Sequence, residues 1–242
     1  MRMRGRAAMV TGGSRGLGAA LGRALAAEGA RVALVARGGI DLERTVREIR
    51  TRGGEAHALI GDVGDKEQVR FLAGAAAALV GPVDLLVHNA SRLGPSPQPS
   101  IATYPLEELE RVYAANVFGP LRLTQLLLPC MGPGACIVSI TSDAAVEPYE
   151  GWGGYGSSKA ALEQWTRVLA AERPDLRVYV VDPGDMRTQM HQDAFPGEDI
   201  SDRPLPDASV PGLLTVIEGD LPSGRYEART VVPAELTTGV AP

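Results

Sequence analysis

Ala7-Ala8-Met9-Val10-Thr11-Gly12-Gly13-Ser14-Arg15-Gly16-Leu17-Gly18 joins a short apolar run to the start of a helical stretch at 16–28. Glycines in such a turn permit a tight bend and let the backbone approach a pyrophosphate, which then rests on the free N–H groups of the helix start. The spacing G-x-x-x-G-x-G differs from the G-x-G-x-x-G of many dinucleotide folds, and an ordinary strand-to-helix turn can carry the same residues. No Gly-Lys-Ser/Thr follows, so this is not a nucleoside-triphosphate loop.

Outward from this turn the alternation repeats. Candidate strands are Ala7–Val10, Arg31–Ala36, Ala56–Ile60, Val83–His88, Ala135–Ile140 and Val178–Val181, with a short one near Arg225–Glu227. Helical patterns lie between them near 16–28, 40–52, 65–80, 105–131, 154–173 and 209–219. Short strands separated by helices imply βαβ units and a parallel sheet covered on both faces. The chain reads as α/β, a doubly wound sheet in a single domain over 1–242. The segment 185–211 mixes Asp, Pro and Gly with Met186, Met190 and Phe195 and reads as a mobile loop, with a substrate loop at about 185–208.

Composition narrows the class. The 242 residues are 45% hydrophobic and 22% charged, which excludes overall disorder. Two cysteines, Cys130 and Cys136, and three histidines exclude a disulfide scaffold and a zinc finger, and no metal site is expected. The leading Met-Arg-Met-Arg-Gly-Arg runs into an apolar stretch too short for a secretory signal. No window offers the ~18 apolar residues of a membrane span, so a soluble, cytoplasmic protein is expected. The net charge of −5 is uneven: residues 1–60 carry 11 Arg against 5 acidic residues, and residues 183–242 carry 4 Arg against 10. A basic N-terminal part suits a phosphorylated small molecule; 5% aromatics and no zinc-finger or RNA-recognition signature argue against nucleic acid.

The chemistry-bearing residues lie further along. Tyr155 and Lys159 are four apart at a helix start, so they share a face, and a cation near a phenol favours the phenolate and tunes an acid/base. Of 24 basic residues only Lys66 and Lys159 are lysine, although Tyr-x-x-x-Lys also occurs on plain exposed turns. Ser142 stands just past the apolar strand ending at Ile140, where a parallel sheet presents its ligand crevice and a hydroxyl can hold a charged carbonyl oxygen. Ser139 is turned into the sheet. Asn116 falls within an apolar helical run, where an amide needs a partner; a satisfied buried amide is the alternative. Trp152 can roof a pocket over Tyr155, or anchor its own loop. Asp143 and Glu147 can bond a polar substrate, and His191 lies in the 185–211 segment. His88 reads as a packed histidine and His57 as a surface one.

Taken together, Thr11-Gly12-x-x-x-Gly16-x-Gly18, Asp62-Val63, Asn89-Ala90, Asn116, Ser142, Tyr155-x-x-x-Lys159 and Pro183-Gly184-x-x-x-Thr188 resemble the short-chain dehydrogenase/reductase family over essentially the whole chain. The resemblance implies a Rossmann-type fold and an oxidoreductase acting on a small-molecule carbonyl or secondary alcohol. It implies that Tyr155 exchanges the proton, Ser142 holds the substrate oxygen, and Lys159 binds the nicotinamide ribose and tunes Tyr155. Asn116 would support a water relay. Gly12, Ser14, Arg15, Gly16, Leu17 and Gly18 would cradle the dinucleotide, Asp62 and Val63 would flank adenine, and Asn89 and Ala90 would line the floor. Pro183, Gly184, Met186 and Thr188 would cover the nicotinamide.

Two departures stand out: the usual Asn-Asn-Ala-Gly appears as His88-Asn89-Ala90-Ser91, and the glycine often found after the serine is absent from Asp143-Ala144-Ala145. The acidic position at the end of the second strand holds Ala36, followed by Arg37; with Arg15 this makes two arginines without an intervening acid, which suits the 2′-phosphate of NADP(H) over NAD(H). A non-catalytic dinucleotide-binding sensor on the same fold is the other functional class, and intact Ser142, Tyr155 and Lys159 argue against it. Leu121, Leu123, Leu126, Leu127 and Leu128 make one helix apolar around much of its circumference, and family members commonly pair there, so a homodimer or homotetramer is expected. The acidic residues of 185–207 outnumber Arg187 and Arg203, which favours neutral or cationic carbonyl substrates.

Overall fold

The computed structural model describes residues 3–231, so the expected span 1–242 extends past the described residues at both ends. Seven strands form one sheet: β1 (Ala7–Thr11), β2 (Arg31–Ala36), β3 (Glu55–Ile60), β4 (Leu85–His88), β5 (Cys136–Ile140), β6 (Arg177–Asp182) and β7 (Gly224–Glu227). Their order is β3-β2-β1-β4-β5-β6-β7 and every pairing is parallel. This is the doubly wound Rossmann arrangement, and its order reverses between β1 and β4.

Alternate residues of each strand feed the two cores. Ala8 and Val10 of β1 and Val32 and Leu34 of β2 pack on one face, with α1 (Gly16–Ala27) and α2 (Gly39–Thr51). Ala7, Met9, Ala33 and Val35 pack on the other, with α3 (Lys66–Val80). Burial on both faces explains why these strands are apolar throughout rather than alternating.

Two expectations change. The helix expected over 105–131 is broken into α4 (Leu106–Tyr113), a wide π turn (Ala114–Phe118), α5 (Gly119–Leu127) and a short 3-10 turn (Leu128–Cys130). Pro120 brings no N–H to the ladder, and Gly119 lies so close to the Val63 carbonyl that a Cβ would collide with it. The segment 185–211 is not loop throughout: it holds α7 (Gln189–Ala194), capped by the Thr188 hydroxyl accepting from the His191 N–H, and a 3-10 turn (Pro206–Ser209). The helix α6 (Gly153–Glu172) follows β5 and precedes this segment, and α8 (Val210–Glu218) ends it.

Candidate active site

A cleft of about 1210 Å³ opens at the C-terminal ends of the strands, at the β1/β4 reversal. That volume exceeds an ordinary drug-sized pocket and suits an extended ligand. At one end lies the glycine turn. Gly12 is left-handed at φ 71°, and a Cβ there would reach 2.6 Å from the Asn89 amide nitrogen. A Cβ on Gly18 would run into the Gly12 carbonyl, so this glycine packs beneath the turn while Gly12, Ser14, Arg15, Gly16 and Leu17 line the cleft. Thr11 and Asn89 join the turn to β4: the Thr11 hydroxyl accepts from the Asn89 and Ala90 N–H groups, both at 3.0 Å, and the Asn89 amide donates to the Thr11 carbonyl at 2.9 Å. The start of α1 has no side-chain cap and no acid in its first turn, which leaves its N–H groups for an anion.

Arg15 and Arg37 both line this end, Arg37 with 64% of its side chain exposed. The reading of two arginines free of acids is corrected: Asp62 stands 4.0 Å from Arg37, because β3 ends beside β2. Asp62 is partly spent on the Gly64 N–H (2.8 Å), and nearby Asp41 pairs with Arg44 (2.8 Å). Val63, Asn89 and Ala90 line the cleft.

At the other end α6 supplies Tyr155, 8% exposed, and Lys159, 2% exposed. The ammonium donates to the Ile140 carbonyl at 2.9 Å and lies 5.5 Å from the centre of the Tyr155 ring. Burial pushes the Tyr155 phenol well above its ordinary value and Lys159 down to about 8, with Asp182 and Glu163 pulling the lysine back up. The anticipated lowering of the phenol by Lys159 is therefore not met: desolvation of a phenolate outweighs a cation that sits over the ring and is committed to a carbonyl. Ser142, just past β5, donates its hydroxyl to Asp143 at 2.8 Å and accepts from the Ala144 N–H at 3.2 Å. Asn116 lies in the π turn, and its side chain is committed to Arg92 N–H (2.7 Å), Arg92 carbonyl (2.9 Å), Ser91 (3.3 Å) and Ser158 (2.9 Å).

Four residues of this end were not singled out as site residues from sequence. Ser91 donates its hydroxyl to the Asn116 amide oxygen at 3.3 Å, and turned instead toward the Tyr155 phenol it favours the phenolate. Glu163 accepts from Thr141 (2.7 Å) and Arg225 (3.2 Å), and Arg225 also reaches Asp182 (3.2 Å). Burial raises the Asp182 carboxyl. Glu163 had a readable signal, four residues past Lys159 on the same helix; Arg225, 62 residues from Glu163, had none.

Around the mouth, Trp152 stands edge-on to Tyr155 at 5.8 Å and meets Phe195 of the following segment at 5.8 Å and Tyr149 at 6.4 Å. His191 packs on Phe195 at 4.9 Å and faces Asp185 at 3.8 Å. Glu147 is exposed. Pro183, Met186 and Thr188 line the cleft, whereas Gly184 (φ 70°) lies against Arg229. His88 is buried, bonded to Thr124 at 2.8 Å, and pushed down to about 3 by burial, as befits a packed neutral histidine. His57, read as a surface residue, is half-buried beside Glu55.

Residues 6–199 match the family model described as short chain dehydrogenase. A short chain dehydrogenase of Pseudocercospora fijiensis is 35% identical over 198 residues, covering 78% of this chain and 62% of that protein. Ketoacyl reductase HetN of Nostoc is 36% identical over 185 residues, covering 74% and 63%. This chain thus matches less than two thirds of the length of these two relatives. A short chain dehydrogenase of Shigella flexneri solved with NADP has a TM-score of 0.87 and 28% identity, covering 93% of this chain and 98% of that one.

Proposed function

The chain belongs to the short-chain dehydrogenase family, and we propose that it is an NADP(H)-dependent enzyme, folded as a single domain, that reduces the carbonyl of a small molecule or oxidises the matching secondary alcohol. One observation carries this reading: Tyr155 and Lys159 line one end of a cleft, with Ser142 directly after the lining residues Ile140 and Thr141, and the other end is a glycine turn with free helix N–H groups. The residues fit a dinucleotide, since Gly12, Ser14, Gly16 and Leu17 line the cleft at an uncapped helix start whose backbone N–H groups can meet a pyrophosphate. When bound, the dinucleotide supplies or accepts a hydride at the carbonyl carbon.

The chain's own residues would manage the oxygen. A phenol that burial holds above its ordinary value keeps its proton at neutral pH and can donate it to a developing alkoxide, which favours reduction. Ser91 would bond the phenolate left behind, and the Lys159 ammonium adds positive charge beneath it. Ser142 must turn from Asp143 to bond the substrate oxygen. Arg15 and Arg37 offer two guanidinium groups to a 2′-phosphate, with Asp62 4.0 Å from Arg37 and Asp41 paired with Arg44, and the NADP bound in the Shigella flexneri relative agrees with that choice. Phe118 (46% exposed) on the π turn and Val168 (44%) on α6 are apolar surface suited to a homodimer or homotetramer.

Single-turnover oxidation of NADPH with a panel of ketones tests the reading. Tyr155→Phe should slow turnover by about 10²–10⁴ while cofactor binding persists. A variant as fast as the parent, or a parent that binds NADPH but oxidises it with no ketone, would overturn it; the latter is the behaviour of a sensor.

A further inference from the structure

We propose that the substrates of this chain are ketones bearing an alkylammonium group a few bonds from the carbonyl, recognised by Asp143; the inference rests on the oxidoreductase reading above.

Asp143 directly follows Ser142, the residue read as holding the substrate oxygen. One carboxylate oxygen accepts from the Ser142 hydroxyl and the Ala144 N–H, each at 2.8 Å, and the other accepts from the Tyr149 hydroxyl at 3.0 Å. All three donors are neutral, and among the described residues no Lys or Arg pairs with Asp143. Its charge is oriented but not cancelled. The Tyr149 ring, whose hydroxyl bonds Asp143, stands edge-on to Trp152 at 6.4 Å, and Trp152 continues to Tyr155 and Phe195. Electron-rich rings next to an uncompensated carboxylate are the chemistry that binds alkylammonium groups. Leu93, Ala144 and Met190 add apolar contact for the rest of a ligand.

Among the described residues Arg203 of the 185–211 segment pairs with Asp185 and Asp202, while Arg187 lines the cleft. An anionic substrate would meet the Asp143 carboxylate directly beside Ser142, which penalises it.

The bond between Ser142 and Asp143 links recognition to chemistry. A hydroxyl has one proton, and here it is given to Asp143, so Ser142 cannot also donate to a carbonyl oxygen. A neutral ketone must break that bond with nothing to replace it at Asp143. An ammonium N–H that takes the carboxylate frees Ser142 for the substrate oxygen. The cationic group should thus improve kcat as well as KM.

The test uses β-(dimethylamino)propiophenone, protonated at neutral pH, and its carbon isostere in which CH replaces the N–H⁺. Affinity for the enzyme–NADP⁺ complex is measured by calorimetry, which needs no turnover, and kcat/KM is measured with NADPH in the parent and in Asp143→Asn. The cation should bind the parent about tenfold tighter than the isostere, the low end for a charge-assisted bond because the site is open to solvent. Taking the cation-to-isostere ratio in each protein removes differences in ketone reactivity, and that ratio should fall about tenfold in Asp143→Asn. Equal affinities in the parent, including no binding of either ketone, or a ratio unchanged by Asp143→Asn, would overturn the inference. A hydroxy ketone bound as tightly as the cation would also overturn it, assigning Asp143 to hydroxyl recognition. Reduction of both ketones without preference leaves the oxidoreductase reading standing; no NADPH oxidation with any ketone strikes that reading instead.

Discussion

Replacing Lys159 by methionine should make the protein more stable at neutral pH while removing its activity. The lysine is 2% exposed and gives up its proton near 8 instead of 10.5, because burial penalises the ammonium by more than Asp182 and Glu163 recover. Between pH 8 and 10.5 the unfolded chain binds the extra proton, so this residue makes stability rise with pH across that window. Below pH 8 both states are protonated and the penalty is at full size. At 1.36 kcal/mol per pH unit it amounts to about 3 kcal/mol. Methionine fills a similar volume without the charge but forfeits the 2.9 Å bond to the Ile140 carbonyl, which returns about 1 kcal/mol. The net gain at pH 7 is about 2 kcal/mol. Urea unfolding of parent and Lys159→Met at pH 7 and pH 10.5 reads the difference directly, since titrations common to both proteins cancel. The advantage should be gone at the higher pH. A variant less stable than the parent at pH 7, or a difference that does not move with pH, would refute the reasoning. The stability given up at Lys159 is what the fold invests in a cation beneath Tyr155.

Three other outcomes are expected. Arg37→Ala should weaken NADPH binding about five- to tenfold and leave NADH unchanged, a charge-assisted contact reduced because the side chain is 64% exposed; fluorescence titration of both cofactors checks it, and equal losses would remove Arg37 from the role. Ser91→Ala removes a hydroxyl that favours the Tyr155 phenolate, so the phenol rises further and the ascending limb of the alcohol-oxidation profile should move to higher pH, an unmoved limb counting against the contact. Light scattering at micromolar protein should show at least a dimer, with Phe118→Glu and Val168→Glu together lowering the mass; a monomeric parent would end that proposal.

Local pattern determined the scaffold of this protein. The β2 span Arg31–Ala36 was legible to the residue, and the remaining strands within one or two residues, because buried parallel strands are short apolar runs punctuated by helices. The glycine turn was equally legible: Gly12 takes a left-handed φ of 71° that favours glycine, and a Cβ at Gly18 would strike the Gly12 carbonyl of the same turn, so the glycines report the turn locally. Tyr155 and Lys159 were placed together by helix periodicity alone. What periodicity could not hold was anything set by depth or by partners distant in the chain. The break at Ala114–Phe118 depends on where Gly119 meets the Val63 carbonyl, and α7 on a cap reached only once Thr188 has turned. The proton affinities of Tyr155 and Lys159 moved apart because burial, a property of the assembled fold, dominates them. Glu163, Arg225 and Asp182 come together only when α6, β7 and β6 pack side by side, and the bond from Ser142 to Asp143 depends on the 3-10 turn that follows β5. Spacing along the chain sets which side chains share a face; the packed structure alone sets what each of them faces, and how far from water.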